Sequence, residues 1–570
     1  MQKINNFFDN NRIIICIIII SILGFLFRLS TGLMELRNDE IATLRTAMQT
    51  FPFGILEADA SKNLHAPLYY FILHFWIKLF GSNTFILRLL PILLGTLCIP
   101  VSYLCAKELS QPKINVLVAL LVAINPFLIA FSNFGKFYSF LSLLSFLSIL
   151  FLLKIKKDTK SLNIVFLAVV NALIVYTFVL GFLFVLIQFV FFTCYLIMKK
   201  DKNGLRNWLL QYPLALCLLI LPVVNFIALI IGRTQSGLFP TFWWYTFDIK
   251  DITGVIFSWF SPALPAFYMK GIATEPTQAF FVSNKFYLII FNLIPLCIAS
   301  FGIYKALMKK NFVSLLFYVS LLFIIAELVG AVLGRFAFCP RYTVLAFPSI
   351  ILATAYGLSL IESADISFGL VLTFFFINIF FKNIGPENIY VAGPSEIHSI
   401  ANVLEMYSPT KNDFVIMPYR GYYLEAFYDT KVTNFISFDI NYAYKINDKN
   451  VLKNILDEKY TKSEKTNPYE RFRAYISAKN PQKQISEYLQ RVCFSKLKKN
   501  SKVYLVLYKP EGAPSIEQVL GDEKVYKSQP ILNLLSLKIN QDLQEITSRN
   551  LRLEAVEKST NFNIYIYGIR

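Results

Sequence analysis

Long apolar runs, separated by short polar segments, fill residues 1–382. A transmembrane helix needs about 20 mainly apolar residues. Dividing the chain at its polar positions predicts about eleven transmembrane helices: 13–34, 85–106, 114–132, 138–153, 162–179, 181–198, 208–231, 284–304, 312–333, 341–361 and 366–382. The pattern therefore predicts a polytopic α-helical membrane protein.

The polar residues from Asn383 onward predict a second domain, 383–570. Helical patterns occur at Ser395–Tyr407, Val451–Tyr460, Pro481–Leu489 and Leu532–Ile546, and apolar strands at Phe414–Met417, Val432–Ile436, Val503–Tyr508 and Ile564–Tyr567. This alternation predicts a small α/β domain. The domain contains no glycine-rich phosphate-binding fingerprint, so a nucleotide site is not favoured.

Charge predicts the orientation of the chain in the membrane. Residues 1–382 hold 29 Lys and Arg against 15 Asp and Glu, and the excess forms clusters between apolar runs at Lys107 and Lys113, Lys154–Lys160, Lys199–Arg206 and Lys305–Lys310. A cytoplasmic N-terminus puts all four clusters inside, as the positive-inside rule requires. An odd number of spans then places the C-terminal domain outside. The net charge of +19 is therefore explained by the cytoplasmic loops and does not indicate nucleic-acid binding.

Composition narrows the class of protein further. With 56% hydrophobic and 16% charged residues and a mean hydropathy of +0.53, the chain is far too apolar for an ordinary soluble protein. Six of the eight cysteines lie in apolar runs, and we expect only Cys339 and Cys493 to be exposed. No Cys or His spacing suggests a structural metal site. Because Ile13–Phe27 has no cleavage site after it, we expect an uncleaved first span.

Two predicted outer loops, 34–83 and 232–283, are too long to be simple turns. The first contains the apolar but short segment His65–Phe80, which predicts a helix lying in the membrane interface. The second carries four aromatic residues expected at headgroup depth, Trp243, Trp244, Tyr245 and Trp259. Both loops lie on the side of the C-terminal domain, so a polar pocket is expected at the outer face.

Two adjacent acids, Asp39 and Glu40, follow the first span. Adjacent side chains on a helix point in different directions, so at most one is expected to do chemistry. In a structural interpretation, Asn38 or Asp39 caps a helix 40–50 and Glu40 complements its dipole. In a functional interpretation, one of the acids is catalytic, since acids at membrane depth are costly and tend to be functional. The periodicity leaves both open.

Four stretches resemble a known family: NDEIATLRTA after the first span, HAPLYYFILHFWIKLF with its continuation, NPFLIAFSNFGKFYSF, and RYTVLAFPSIILATAYGL. They resemble the GT-C membrane glycosyltransferases, in particular the bacterial protein O-mannosyltransferase and aminoarabinose-transferase branch. The resemblance covers about residues 10–382 as topology. It implies a GT-C transmembrane catalytic domain with interfacial helices in its outer loops.

The resemblance also implies a reaction and a set of residues. The reaction is transfer of a sugar, with inversion, from a polyprenyl-phosphate carrier to an acceptor at the outer face. By the family pattern, Asp39 matches the catalytic carboxylate, and Glu40 is the second candidate. The donor phosphate is met by basic residues and their neighbours at the outer ends of spans, together with a histidine: Arg341, Tyr342, Lys136, Tyr138 and His65.

The chain departs from the family at one position. Relatives often carry a carboxylate two positions before the basic residue of SNFGKFY, where Phe134 stands here. Arg88 fits the family pattern, yet anchoring a span end is the more common role for such an arginine. The sequence predicts no dedicated metal site and leaves open whether a divalent cation assists. The acceptor, which could be a protein, a lipid or a glycan, is not identified.

Two alternatives use the same kind of lipid-linked substrate. A flippase or transporter would show internal repeats and ionisable residues near the middle of its spans. No repeat is found, and the ionisable residues cluster at the outer ends of spans. A polysaccharide polymerase or ligase would share the chemistry, but the motif around Asp39 does not support it.

Overall fold

The computed structural model describes residues 2–31, 38–56, 67–82, 84–109, 112–157, 161–217, 293–309, 312–333, 338–384, 406–417, 434–437, 481–508, 531–558 and 562–569, and a few positions within 249–260 and 400–404. Some side chains at the ends of elements, including that of Asp39, lie outside this description. The chain divides into two compact units: Met1–Gly232 with Trp244–Gly393, and Arg233–Trp243 with Pro394–Arg570.

The first unit is helical, and its helices follow the apolar runs. They are α1 Gln2–Thr31, α2 Asn38–Ala47, α3 Leu68–Phe80, α4 Thr84–Glu108, α5 Pro112–Ile124, α6 Pro126–Ser132, α7 Tyr138–Lys157, α8 Ser161–Thr177, α9 Gly181–Met198, α10 202–217, α11 Leu293–Met308, α12 Phe312–Val332, α13 Phe347–Ser359 and α14 Ala364–Ile384. A 3-10 helix, Pro340–Leu345, precedes α13.

Every predicted span contains helix in its described part, which confirms the predicted fold class. Among the described helices, α4, α7, α9 and α12 are long and apolar enough to cross a membrane, and the bent pair α5 and α6 adds a fifth. The helix predicted at 65–80 is observed as α3. Its 13 residues extend about 20 Å, which is too short for a bilayer core of about 30 Å.

The predicted span 114–132 is broken by 55° between α5 and α6. Pro126 has no N–H, so the carbonyl of Val122 loses its intrahelical donor. The buried guanidinium of Arg28, on α1, donates to the Val122 carbonyl (3.0 Å) and to that of Ala123 (3.1 Å). Its Nε donates to Ser132 Oγ (3.1 Å). A cation on α1 thus stabilises the break and holds α6 in place.

Two further interhelical arrangements hold the bundle together. A Cβ on Gly302 of α11 would clash with the Ala353 carbonyl oxygen of α13, so the backbones of these two helices are in contact, as small residues allow in membrane bundles. Four buried polar side chains on α7, α8, α9 and α10 form a hydrogen-bonded network: Ser148, Asn171, Gln188 and Tyr212. The network pairs polar groups that would be costly to leave unbonded inside the bundle.

The second unit contains a five-stranded mixed sheet in the order β2-β1-β3-β5-β4. Its strands are β1 Phe414–Met417, β2 Asn434–Ser437, β3 Lys502–Tyr508, β4 Arg552–Lys558 and β5 Phe562–Gly568. β1 pairs in parallel with β2 and β3, whereas β5 pairs antiparallel with β3 and β4. Two helices accompany the sheet, α15 Pro481–Val492 and α16 Ile531–Asn550. The predicted α/β layer is confirmed.

Several details of this unit differ from the prediction. β4 was not predicted, because its polar sequence RLEAVEK is that of an edge strand with an exposed face. β2 is described as Asn434–Ser437, and the first two residues of the strand predicted at Val432–Ile436 lie outside the described residues. Cys493 is buried, as is Cys339 in the first unit, so the expected exposure of both thiols was wrong. The helix predicted at Val451–Tyr460 lies outside the described residues.

Candidate functional site

The two adjacent acids lie at the start of a helix. α2 begins at Asn38, so Asp39 and Glu40 occupy its first turn and not the capping position predicted for Asn38 or Asp39. A carboxylate is favoured there by the exposed N–H groups and the helix dipole. The Glu40 side chain is fully buried.

Glu40 is held by a two-point ion pair with Arg88 of α4. Arg88 Nε donates to Glu40 Oε1 at 2.9 Å, and its Nη2 donates to Oε2 at 2.8 Å. Both side chains are buried, with 0% and 1% of their surface exposed. The two charge-assisted hydrogen bonds of such a pair are strong. Removing one partner destabilises the protein, because the other charge is left buried without a partner. Arg88 thus does more than anchor the end of a span.

A third donor to Glu40 comes from the turn after α6. The Gly135 N–H donates to Glu40 Oε1 at 2.7 Å. A Cβ on Gly135 would lie 3.1 Å from that oxygen and 3.1 Å from Leu87, so a side chain here would crowd the hydrogen bond. The next residue, Lys136, is 5% exposed. Glu40 therefore fixes the turn that carries one of the predicted phosphate-binding residues.

An aromatic cluster joins the two predicted donor-binding segments. The ring of Phe137 lies 4.7 Å from that of Tyr138 and 5.9 Å from that of Phe178. Phe178 in turn stacks on Tyr342 at 5.7 Å. Through Phe137 and Phe178, the structure brings the segment of Lys136 and Tyr138 towards the segment of Arg341 and Tyr342, although about 200 residues separate them in the sequence.

Arg341 is positioned by its neighbours at the start of the 3-10 helix. Its guanidinium lies over the Tyr342 ring, 5.2 Å from the centroid. It also hydrogen-bonds to Cys339. Burial raises the pKa of the Cys339 thiol, and the charge and hydrogen bond of Arg341 oppose this effect. The thiol therefore stays protonated and acts as a neutral contact for the guanidinium.

The 3-10 helix itself is fixed by polar contacts inside the bundle. Trp259 Nε1 donates to Thr343 Oγ1 at 3.1 Å, and Ser145 Oγ donates to the Leu345 carbonyl at 2.7 Å. The Trp259 side chain is buried in protein, and its expected position at headgroup depth stays a prediction. Trp243, Trp244 and Tyr245 lie outside the described residues.

Two histidines of the first predicted outer loop differ in what the structure describes. His65 lies outside the described residues. His74, on α3, makes a 2.7 Å hydrogen bond through Nδ1 with the Ala47 carbonyl and stacks on Phe51. It therefore connects α3 to the end of α2. Among the described side chains, no group of three or more His, Cys, Asp or Glu residues could hold a metal ion.

Known proteins match both the sequence and the fold. The family described as dolichyl-phosphate-mannose-protein mannosyltransferase matches residues 64–227. ArnT from Cupriavidus metallidurans in the apo state has a TM-score of 0.52 at 12% identity, and the structure bound to undecaprenyl phosphate has 0.50 at 11%; each match covers 98% of both chains. The fold is that of the GT-C glycosyltransferases. The resemblance indicated by the four sequence stretches is confirmed.

At this level of identity the likeness to ArnT concerns the fold. Among curated proteins, none matches the chain. The matched family region contains Arg88, the turn after α6 and Phe178, and thus most of the Glu40 cluster and the aromatic cluster. It does not include Asp39, Glu40 or Arg341.

Proposed function

We propose that this membrane protein is an inverting glycosyltransferase that moves a sugar from a polyprenyl-phosphate carrier to an acceptor at the outer face. The observation that carries the proposal is the engagement of Glu40 by Arg88 and Gly135, beside Asp39 in the first turn of α2. Of the two acids, Glu40 has a structural task. Asp39 is therefore assigned as the catalytic carboxylate.

The chemistry needs one base and fixed positive charge. The acceptor hydroxyl or amine loses its proton as it attacks the anomeric carbon, and an ionised carboxylate at Asp39 takes it up. The bond from that carbon to the phosphate oxygen breaks, and the electron pair stays on the phosphate. Cations placed beforehand stabilise this developing charge. We assign that role to Lys136 and Arg341.

Three features support a polyprenyl-phosphate donor. The Lys136 and Arg341 segments meet through Phe137 and Phe178. The family matched over 64–227 is described by a lipid-linked mannose donor, dolichyl-phosphate-mannose. The ArnT structure with a TM-score of 0.50 is bound to undecaprenyl phosphate. Tyr138 and Tyr342 line the same region, and His65 is proposed to contact the donor as the family pattern implies.

The proposal includes an orientation and a division of the chain. The N-terminus is cytoplasmic, and the C-terminal domain, 383–570, is extracytoplasmic, as the four basic loops require. The catalytic domain is 1–382. The acceptor is left as a protein, a lipid or a glycan, and a divalent cation can still take part.

The test is release of free polyprenyl phosphate by the purified protein in lipid vesicles. Undecaprenyl phosphate carrying mannose, glucose or aminoarabinose is supplied singly, with a membrane extract as acceptor source. We expect free undecaprenyl phosphate with at least one donor, and none when the acceptor source is omitted. Transbilayer movement of the intact donor without cleavage would favour a flippase. Cleavage only of diphosphate-linked oligosaccharides would favour a polymerase or ligase.

A further inference from the structure

Tyr69 has a buried hydroxyl group without a partner. It lies in the first turn of α3, with 0% of its surface exposed. Its hydroxyl has no hydrogen-bond partner among the residues that the structure describes. Buried tyrosine hydroxyls usually find one. Tyr212, also buried, illustrates this, because its hydroxyl accepts a 2.6 Å hydrogen bond from Asn171.

The surroundings of Tyr69 belong to the candidate site. Its ring contacts the ring of Phe137 edge-on, with 6.4 Å between the centroids. Phe137 directly follows Lys136 in the chain. Phe137 is also the ring that leads through Phe178 to Tyr342. Tyr69 therefore lies at one end of the aromatic cluster, beside the turn that Glu40 fixes.

The hydroxyl is suited to donate a hydrogen bond. Burial raises the pKa of Tyr69, and the nearby Glu40 carboxylate raises it further. The group therefore keeps its proton at physiological pH. Glu40 does not accept that proton in the structure, because the Tyr69 hydroxyl has no hydrogen-bond partner among the described residues. The hydroxyl is therefore available to an acceptor atom of a bound molecule.

We propose that the Tyr69 hydroxyl donates a hydrogen bond to a phosphate oxygen of the polyprenyl-phosphate donor, as a further binding residue of the reaction. The inference rests on the proposed function. A phosphate fits because it offers several strong acceptors, and because Lys136, the residue before Phe137, brings a positive charge to the turn that Tyr69 contacts through Phe137. As the sugar–phosphate bond breaks, charge grows on the phosphate and this hydrogen bond strengthens. Tyr69 keeps its proton throughout.

Tyr69→Phe removes only the hydroxyl and keeps the ring contact with Phe137. Since that hydroxyl has no described partner, thermal stability in the absence of substrate should stay the same or rise. Turnover should fall by about 10²–10³-fold, as for loss of one donor to a developing negative charge. Inhibition by undecaprenyl phosphate should weaken by about 10–100-fold, the usual effect of losing a hydrogen bond to a charged group.

Tyr70→Phe is the matched control, because Tyr70 is the next residue and is equally buried. We expect its turnover and inhibition to match the wild type. Unchanged turnover and unchanged undecaprenyl phosphate inhibition in Tyr69→Phe would overturn the proposal. The proposal would also be overturned if Tyr69→Phe weakened inhibition by inorganic phosphate but left inhibition by undecaprenyl phosphate unchanged. The hydroxyl would then bind free phosphate and not the lipid.

A second readout separates this inference from the proposed function. If the wild type releases no polyprenyl phosphate from any donor, the proposed function fails, and binding is measured without turnover. Undecaprenyl phosphate should raise the melting temperature of the wild type, since a ligand stabilises the state that binds it. A smaller rise in Tyr69→Phe than in Tyr70→Phe would support the assignment, and equal rises would contradict it.

Discussion

The carboxylate of Glu40 and the guanidinium of Arg88 form a buried ion pair with contacts of 2.9 and 2.8 Å, across 48 residues of sequence. The pair joins the helix that carries Asp39 to α4, and the Gly135 N–H on Glu40 adds the turn that carries Lys136. One carboxylate thus sets the relative positions of three elements of the candidate site. This arrangement gives a structural role to Glu40, one of the two adjacent acids that follow the first span.

Breaking the Glu40 and Arg88 pair should destabilise the protein strongly. Glu40→Gln or Arg88→Met leaves one buried group without its partner, at a cost of about 3–5 kcal/mol each. The double variant should be destabilised by less than the sum, with a coupling of about 1–3 kcal/mol. Thermal unfolding of all four proteins in one detergent measures this. Additive losses would mean that the two side chains act independently.

Neutralising the proposed phosphate-binding cations should weaken donor binding. Lys136→Ala and Arg341→Ala are each expected to raise the KM for the donor, because a phosphate contact in a partly dehydrated site exceeds a surface ion pair. Arg341→Lys should restore only part of the affinity, since lysine offers a point charge and not a planar fork. Undiminished donor binding in both alanine variants would mean that these residues only anchor the ends of their elements.

Arg28 should be required for the break between α5 and α6. Arg28→Met removes the donors to the Val122 and Ala123 carbonyls, and each buried acceptor left unbonded costs about 1–3 kcal/mol. Thermal unfolding should therefore show a large loss of stability, with a smaller loss in Arg28→Lys. A stability equal to that of the wild type in Arg28→Met would show that the break does not depend on this side chain.

The sequence predicted the helices well because lipid imposes long apolar runs on them, and α9, Gly181–Met198, was predicted with the same bounds. It missed the break within 114–132, because Pro126 frees the Val122 carbonyl and the group that bonds this carbonyl, Arg28, lies on another helix. The predicted strand at Phe414–Met417 is observed unchanged, since its four residues are all buried.

The candidate site was predictable only in part. The motif indicated Glu40, Lys136 and Arg341, yet the role of Glu40 depends on Arg88, whose position opposite it is a property of the folded chain. The sequence did not indicate Tyr69, because aromatic residues are common in apolar helices. Only the unbonded hydroxyl seen in the structure distinguishes it. Asp39 and His65 remain predictions, since the structure does not describe their side chains.

The orientation in the membrane can be tested with two lysines that are exposed in the structure. Lys499 lies in the C-terminal unit, and Lys202 lies in the third basic cluster. A membrane-impermeant maleimide should label Lys499→Cys on intact cells, above the wild-type background, whereas Lys202→Cys should react only after permeabilisation. The reverse pattern would invert the topology and move the proposed site to the cytoplasmic face.

The catalytic assignment rests on Asp39. Asp39→Asn keeps the size of the side chain but removes its ability to accept a proton, so transfer should fall by about 10²–10⁴-fold while the donor still binds. Stability should hardly change, because first-turn effects of this kind amount to about 0.3–1 kcal/mol. Asp365→Asn, an exposed acid in the first turn of α14, is the matched control and should leave transfer unchanged.

The most direct measurement is the single-turnover rate of sugar transfer in Asp39→Asn, with donor saturation checked by undecaprenyl phosphate competition. The proposed mechanism predicts a rate at least 100-fold below that of the wild type and of Asp365→Asn, with donor affinity unchanged. Wild-type transfer by Asp39→Asn would contradict it. If Glu40→Gln, at a temperature where it stays folded, instead lost the same chemical step, the base would be Glu40 and its pairing with Arg88 would belong to catalysis.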